Sequence, residues 1–286
     1  MSILKTQLLI FCLFITFNFG LCAKPALWQL EYQGKTSWLF GTIHLTNQSM
    51  VNELESIKPY LKQARKLVTE IDLNQVNSKS LLRQTRFQTK QNINQIYSKA
   101  ELSLISSKLN QVGLDIKLLK QYKPWFIALQ FINLQAINQG YQFENSVDEL
   151  LTRYANAHAI PVSGLEAASD QLELLDKQAV QGKAMLLDTL AQADKPEFQI
   201  NYIANAWTDG DLNQLATLNH MSNGYPSYEY FEQTLLIQRN KNWRDLLMTD
   251  LEQGKIFIAV GLMHMTGEQS LLRLLDQKNV TIKRLQ

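Results

Sequence analysis

Short β segments alternate with long helical stretches along this chain, and few architectures accommodate such an alternation. Residues 26–32 and 37–44 alternate between two faces on either side of a turn at Gln33-Gly34, which predicts a β-hairpin. Helical spacing at 52–66 is followed by a strand at 67–73. This strand, helix, strand order favours a parallel pair joined by a crossover.

The rest of the chain is mainly helical until its last segments. Residues 78–253 have mostly helical spacing, interrupted by a strand at 160–166. The clearest helices of this region are predicted at 124–138 and 147–157. The most hydrophobic strand covers 255–264, and a helix and a short strand at 280–284 follow. We therefore predict an α/β (α+β) fold with a central mixed sheet, in which the N- and C-terminal strands are adjacent, covered by helices.

An apolar run from Leu8 to Gly20 follows a single charge, Lys5, and precedes small residues around Cys22-Ala23. This pattern predicts a secretory signal peptide at 1–23, cleaved after Cys22 or Ala23. A transmembrane anchor needs about 20 apolar residues, and this run is shorter. A lipoprotein acylated at Cys22 is the weaker alternative because Leu21 stands where a small residue is usual. We expect an exported protein, periplasmic or secreted, with no stable membrane span and one domain at 24–286.

Cleavage at that point would remove both cysteines, Cys12 and Cys22. The mature chain would then have no disulfide and no thiolate, so any metal would be held by His, Asp and Glu, which suits zinc, manganese or cobalt. The full chain has 28 basic and 26 acidic side chains. Cleavage would remove one basic residue, Lys5, and no acidic one, which leaves a net charge of about +1. No basic stripe remains, so we expect no nucleic-acid partner.

Four of the predicted strands end in a titratable residue, namely His44, Glu70, Glu166 and His264. In open α/β sheets, ligands bind outside the carboxyl ends of the strands. If these strands are parallel neighbours, two imidazoles and two carboxylates converge at that edge. Asp72 lies on the same strand face as Glu70 and is a weaker candidate.

The two histidines each close a Gly-x-x-His motif, Gly41-Thr42-Ile43-His44 and Gly261-Leu262-Met263-His264. Glycine at such a position allows a tight turn or the close approach of a ligand. A single motif is explained as well by a structural histidine at a strand end. Here, however, both motifs follow an apolar strand, and together they contain two of the four histidines of the chain. This pairing favours one shared functional site.

Each remaining candidate has a functional and a structural interpretation. Glu70 and Glu166 would act as general base or metal ligand, or would be ordinary carboxylates at strand ends. Arg239, on an amphipathic helix, would fix a carboxylate or stabilise an oxyanion, or would be a solvated helix residue. His158 and His220 lie in polar contexts at helix ends and are interpreted as structural.

The order of these residues resembles the TraB/GumN family of bacterial exported proteins over essentially the whole mature chain. The resemblance begins with Trp28 to His44 and continues through Val68-Thr-Glu-Ile-Asp72, Pro124-Trp125, Ser146-Val-Asp148, Gly164-Leu-Glu166, Arg239-Asn240 with Trp243, and Val260-Gly-Leu-Met-His264 with Gly267 and Leu271-Leu272. Each element is modestly specific, whereas their order and spacing together are highly specific.

The family is similar to a wider group that contains Tiki-type metal-dependent proteases, erythromycin esterases and ChaN-like haem-binding lipoproteins. Analogy with the Tiki-type enzymes implies that His44, Glu70 and His264 bind a divalent metal that activates water for amide hydrolysis. Analogy with the esterases implies a histidine general base without metal, with Glu70 and Arg239 positioning it and the substrate.

Ser146 departs from the family pattern, which commonly has glycine before Val-Asp. We therefore expect Asp148 to cap or start a helix rather than to join a site. The leading prediction is an exported hydrolase of a peptide or small ester-like bond, with His44, Glu70, Arg239 and His264 at its centre and Glu166 beside them. The alternative is a binding protein that sequesters a peptide or haem-like ligand in the same cleft without turnover.

Overall fold

The structure is a computed structural model that describes residues 24–88, 90–177 and 181–286. The predicted signal peptide and both cysteines lie outside these residues. Within the described ranges, no helix is long and apolar enough to cross a membrane.

The described chain forms a six-stranded mixed sheet with the order β4-β3-β5-β2-β1-β6. Its strands are β1 (Leu27–Tyr32), β2 (Lys35–Thr42), β3 (Lys66–Ile71), β4 (Val162–Glu166), β5 (Ile256–Gly261) and β6 (Thr281–Arg284). The neighbours β4, β3, β5 and β2 are parallel, whereas β1 pairs antiparallel with β2 and β6. The predicted α/β fold and the adjacency of N- and C-terminal strands are confirmed.

The hairpin of β1 and β2 turns at Gln33 and Gly34, which have φ values of 48° and 74°. A two-residue turn with both φ values positive matches the twist of antiparallel strands, and the predicted hairpin is confirmed. β5 is fully buried from Ile256 to Val260, because it has a parallel neighbour on each side and packing on both faces. β2 and β3 are parallel as predicted, but β5 lies between them, so they are not a directly bonded pair.

Helices pack around this sheet and make up most of the middle region. They are α1 (Gln48–Glu53), α2 (Lys58–Gln63), α3 (Ser78–Gln84), α4 (Lys99–Gln111), α5 (Ile116–Leu119), α6 (Pro124–Asn138), α7 (Val147–Ala157), α8 (Ala168–Asp176), α9 (Gln181–Gln192), α10 (Ile200–Thr208), α11 (Leu212–Ser222), α12 (Tyr228–Tyr230), α13 (Gln238–Leu251) and α14 (Leu271–Asp276). A π-helical turn, Phe231–Ile237, joins α12 to α13. Short 3₁₀ turns lie at Leu54–Ser56, Leu73–Gln75, Ile93–Gln95, Pro196–Phe198 and Leu262–Met265.

The prediction of one continuous helix at 52–66 is wrong, because two shorter helices cover parts of this segment. α1 and α2 are separated by a 3₁₀ turn, because Pro59 has no amide N–H and is accommodated at the start of a new helix. Ala64 is already extended, which lets β3 begin at Lys66. The remaining helical pattern of the middle region, with β4 interrupting it, is confirmed.

Two apolar clusters fill the interior. The larger one surrounds the sheet and contains Phe40, Trp207 and Phe257. The smaller one lies among the middle helices and includes Phe131 of α6 and Leu190 of α9. The helices that extend beyond the sheet therefore have a buried core of their own.

Candidate functional site

The structure brings the titratable residues predicted at four strand ends to one edge of the sheet. Glu70 is the second-last residue of β3, and Glu166 is the last residue of β4. His264 is on the 3₁₀ turn directly after β5. His44 follows β2 by two residues. Because these four strands are parallel neighbours, their carboxyl ends share one edge.

Arg239 of α13 lies at the centre of this edge and is only 7% exposed. Its Nη2 donates to Glu70 Oε2 and Glu166 Oε1, both at 2.5 Å, and its Nε donates to Glu166 at 3.0 Å. Its Nη1 donates to the Leu235 carbonyl at 2.9 Å and to His264 Nε2 at 3.2 Å. All five N–H bonds of the guanidinium therefore end on acceptors within the protein.

These contacts distinguish between the interpretations of Arg239. A solvated helix arginine is wrong because the side chain is buried. Arg239 does fix carboxylates, but they are those of Glu70 and Glu166. A role in stabilising an oxyanion does not match its geometry, because no N–H is left to donate. The guanidinium instead holds two carboxylates and an imidazole in place.

The π-helical turn Phe231–Ile237 ends directly before the helix that carries Arg239. Such turns occur frequently at functional sites. The Leu235 carbonyl, within this turn, accepts one of the guanidinium N–H groups. The sequence has no recognised signal for a π-helical turn, and the prediction missed it.

Glu70 is 5% exposed and accepts three hydrogen bonds besides lying near His264. Its Oε1 accepts the Gly261 N–H at 2.7 Å, and its Oε2 accepts from Gln171 Nε2 at 3.0 Å and from Arg239. Burial raises the pKa of Glu70, but His264, Arg239 and the Gly261 N–H outweigh it and lower this pKa to about 2. Glu70 is an ionised acceptor at neutral pH, and so weak a base does not fit the predicted general-base role.

His264 is 3% exposed, and its Nδ1 lies 2.7 Å from Asn240 Oδ1. The Asn240 amide nitrogen donates to the His264 and Gln269 carbonyls, so Oδ1 must face the imidazole and accept its Nδ1–H. The Nε2 lone pair consequently accepts from Arg239. Burial lowers the pKa of His264 to about 3, which keeps the ring neutral at physiological pH.

His44 has a 63% exposed side chain, and its Nδ1 lies 2.9 Å from Asp148 Oδ2. The Thr42 hydroxyl donates to Asp148 Oδ1 at 2.7 Å and holds the carboxylate in position. The negative charge of Asp148 raises the pKa of His44 to about 9. Asp148 lies in the first turn of α7, as expected, although the cap itself is the Ser146 side chain, which accepts the Glu149 N–H. The expectation that Asp148 does not join a site is wrong, because its carboxylate contacts His44.

The glycine of each Gly-x-x-His motif is required by the close approach of protein groups. A Cβ on Gly41 would overlap the Leu262 side chain, and a Cβ on Gly261 would lie 3.0 Å from Glu70 Oε1. Neither glycine has a positive φ. The two motifs therefore pack against each other, and glycine provides the space for that contact.

Several other residues have simple structural roles. Asp72 accepts from the Asn74 N–H at 3.0 Å and from Gln75 Nε2 at 2.8 Å, so it caps a 3₁₀ turn. His158 is exposed and stacks on Tyr154. The residues that the prediction did not include in the site, and whose side chains contact its members directly, include Asp148, Gln171, Asn240 and Trp243.

A cavity of about 400 Å³ opens above the edge that carries these residues. Its floor includes His44, Glu70, Arg239 and His264, and most of its walls are leucine, isoleucine and aromatic side chains. An apolar cavity with a few polar groups at one end is the usual form of a small-molecule site.

The divalent metal implied by the resemblance does not fit this arrangement of donors. His264 Nε2 and Glu70 Oε1 are 3.9 Å apart, but the guanidinium of Arg239 donates to both residues. A second cation there would lie against this permanent positive charge. In the described ranges, no group of three or more His, Cys, Asp or Glu side chains could hold a metal ion as arranged. Metal binding by His44, Glu70 and His264 stays a prediction.

Comparison with known proteins agrees with the resemblance. The "Uncharacterized protein YbaP" of Shigella flexneri is 25% identical over 239 residues, which cover 84% of this chain and 87% of that protein. The protein of the same name from Escherichia coli (strain K12) is 25% identical over 237 residues, which cover 83% and 86%. No solved structure matches. A model of the TraB/PrgY/gumN family matches residues 26–284, and the chain therefore belongs to this family.

Proposed function

We propose that this protein hydrolyses an amide or ester bond and that His44 moves the proton. The observation that carries the proposal is the pair of His44 and Asp148 beside the apolar cavity. Asp148 holds Nδ1 of His44, and none of the described residues hydrogen-bonds to the other ring nitrogen. An imidazole oriented by a carboxylate, with one nitrogen free, is an arrangement suited to general base catalysis.

In the proposed reaction, neutral His44 accepts a proton from water at Nε2 while the water oxygen bonds to the substrate carbonyl carbon. The carbonyl electron pair moves onto its oxygen. The protonated imidazole then gives its proton to the leaving nitrogen or oxygen as that bond to carbon breaks. The products are a carboxylic acid and an amine or alcohol.

Gln171 is suited to bind the oxyanion. One of its amide N–H groups donates to Glu70, which leaves the second for a ligand, and the side chain lines the cavity. Removal of one donor of this kind costs an enzyme about 10²–10³ in kcat. Glu70, Arg239 and Glu166 act as positioning residues in this proposal, because their ion pairs keep Gln171 and His264 in place.

Binding without turnover is the second candidate, and one observation favours it. Each guanidinium N–H of Arg239 is already bound within the protein, so the most buried part of the floor presents few donors to a reacting group. A protein that sequesters a peptide or a haem-like ligand needs the cavity but no proton transfer.

A screen of peptide and ester substrates with wild type and the His44→Ala variant separates the two functions. We expect turnover by the wild type and a loss of about 10²–10⁴ in kcat for the variant, the usual worth of a general base. His158→Ala is the matched control, because this histidine is also exposed and lies outside the site. Ligand retention without turnover would favour the binding protein, and equal turnover by both variants would refute the role of His44.

We also propose that the protein is exported. The support comes from residues 1–23, whose pattern is that of a signal peptide. Fractionation of cells and N-terminal sequencing of the mature protein test the proposal. A chain that keeps residue 1 and stays with cytoplasmic markers would contradict it.

A further inference from the structure

The walls of the 400 Å³ cavity come from five separate parts of the helical region. They are α6, α8, α10, α11 and the π-helical turn, which contribute among others Leu129, Leu172, Ile203, Leu215, Phe231 and Leu235. Each is a large hydrocarbon side chain. A ligand group between them is therefore surrounded by apolar contacts.

Each charged group on the floor of the cavity is already paired with an opposite charge, including His44 with Asp148. Glu70 and Arg239 form an ion pair at 2.5 Å, and Arg239 also pairs with Glu166. A charged ligand group that entered the cavity would lose its hydrating water and would find no unpaired opposite charge there. This desolvation costs free energy. A hydrocarbon group would gain from leaving water.

Two of the wall side chains are partly exposed to solvent. Leu129 and Phe231 each have 37% of their surface accessible to solvent. Exposed apolar side chains grouped around a cleft are typical of a ligand-binding groove. A hydrocarbon chain in the cavity would cover both.

A second cavity, of about 230 Å³, lies next to the first. His44, Glu70 and Gln171 line both cavities, and Ser146 and Asp148 line only the second. The residues proposed to transfer the proton and to bind the oxyanion therefore lie between two spaces. A substrate that reaches across them can place a different group in each.

We propose that the substrate is an acyl compound whose uncharged hydrocarbon chain fills the larger cavity, with its smaller leaving group facing the second cavity. This inference rests on the proposed hydrolysis for the position of the carbonyl, beside His44 and Gln171. The apolar cavity itself selects the chain. Substrates with longer chains bind more tightly until the cavity is full.

Calorimetric binding of n-alkanamides, from butanamide to dodecanamide, to the His44→Ala variant tests the inference without interference from turnover. Each added methylene should tighten Kd about fourfold, the ratio expected for burial of one CH₂ group. Leu129→Asp should abolish this dependence by placing a charge in the wall. Ile137→Asp is the matched control, because Ile137 is on the same helix, is 50% exposed and does not line the cavity.

A binding series that is flat in chain length, or equal effects of Leu129→Asp and Ile137→Asp, would overturn the inference. Hydrolysis of p-nitrophenyl esters with the same acyl chains tests the proposed function separately. Length-dependent binding without hydrolysis would refute the hydrolase and leave the acyl cavity supported. Hydrolysis whose kcat/KM does not depend on chain length would support the hydrolase and overturn the acyl cavity.

Discussion

The Oδ1 atom of Asn240 lies 2.7 Å from Nδ1 of His264, and this contact distinguishes the two Gly-x-x-His motifs. His44 is held at the same ring nitrogen by Asp148, which is a carboxylate. The charge of Asp148 raises the pKa of His44 to about 9, whereas burial beside an uncharged amide lowers the pKa of His264 to about 3. Two similar motifs therefore present one protonated and one neutral imidazole at neutral pH.

The Asn240→Asp variant should change the state of His264. A carboxylate beside Nδ1 favours the charged ring, so the pKa of His264 should rise by about 1–3. NMR titration of the imidazole protons measures this. Asn242→Asp is the control, because Asn242 is on the same helix and is exposed, and its side chain accepts from Gln238 rather than from a site residue. An unchanged pKa of His264 would contradict the assigned contact.

Acid should destabilise the protein in a specific pH window. The pKa of His264 falls from 6.5 in the unfolded chain to about 3 in the folded chain, so the unfolded state binds the proton first. The stability that neutral His264 contributes is therefore complete above pH 6.5 and is lost as pH falls toward 3, with a slope of up to about 1.4 kcal/mol per pH unit. Glu70, lowered from 4.5 to about 2, adds a second loss below pH 4.5.

Urea unfolding across this range measures the free energy of unfolding. His264→Gln should flatten the profile between pH 6.5 and 4.5 while leaving the loss due to Glu70. A wild-type profile that is already flat in this interval would show that His264 is not buried as a neutral ring.

The pH dependence of activity should report His44. As a general base His44 must be neutral, and its pKa is about 9, so kcat/KM should rise with pH and level off above about 9. Asp148→Asn removes the charge that raises this pKa, so the rising limb should move to lower pH and the plateau should fall. A kcat/KM that falls above pH 9 would instead indicate that His44 acts as a general acid.

Arg239→Met should lower the free energy of unfolding by about 3–5 kcal/mol, the usual cost of breaking a buried ion pair. The reason is that Glu70 and Glu166 lose a shared cation in a buried setting. Arg244→Met, on the same helix, removes a pair with the exposed Asp245 and should cost at most about 1 kcal/mol. Equal losses in urea unfolding would show that Arg239 does not hold the floor together.

Removal of divalent metal should leave turnover unchanged. The guanidinium of Arg239 already binds both Glu70 and His264, and the proposed proton transfer uses His44. Dialysis against a chelator, with metal analysis of the wild type and of the His44→Ala/His264→Ala variant, measures this. Activity lost on chelation and restored by zinc, manganese or cobalt would support the metalloenzyme instead.

Local sequence signals were sufficient for much of the fold. Helices α6 and α7 have the bounds predicted for them, because Pro124 and the Ser146 cap define their starts within a few residues of chain. The apolar runs that precede Glu70 and His264 predicted strands there, and so predicted that both residues lie at strand ends. The prediction that the chain ends meet on the sheet came from the alternation of strands and helices, and the two Gly-x-x-His motifs together indicated a shared site there.

The charge states and partners of the site depend on contacts between distant parts of the chain. His44 and Asp148 are 104 residues apart, and Arg239 and Glu70 are 169 residues apart. The sequence pattern predicted that the candidate site residues lie at one edge of a sheet. It could not predict that a carboxylate, Asp148, contacts His44 and that an amide, Asn240, contacts His264. A pKa is set by burial and by neighbouring charges, and both exist only once the chain has folded.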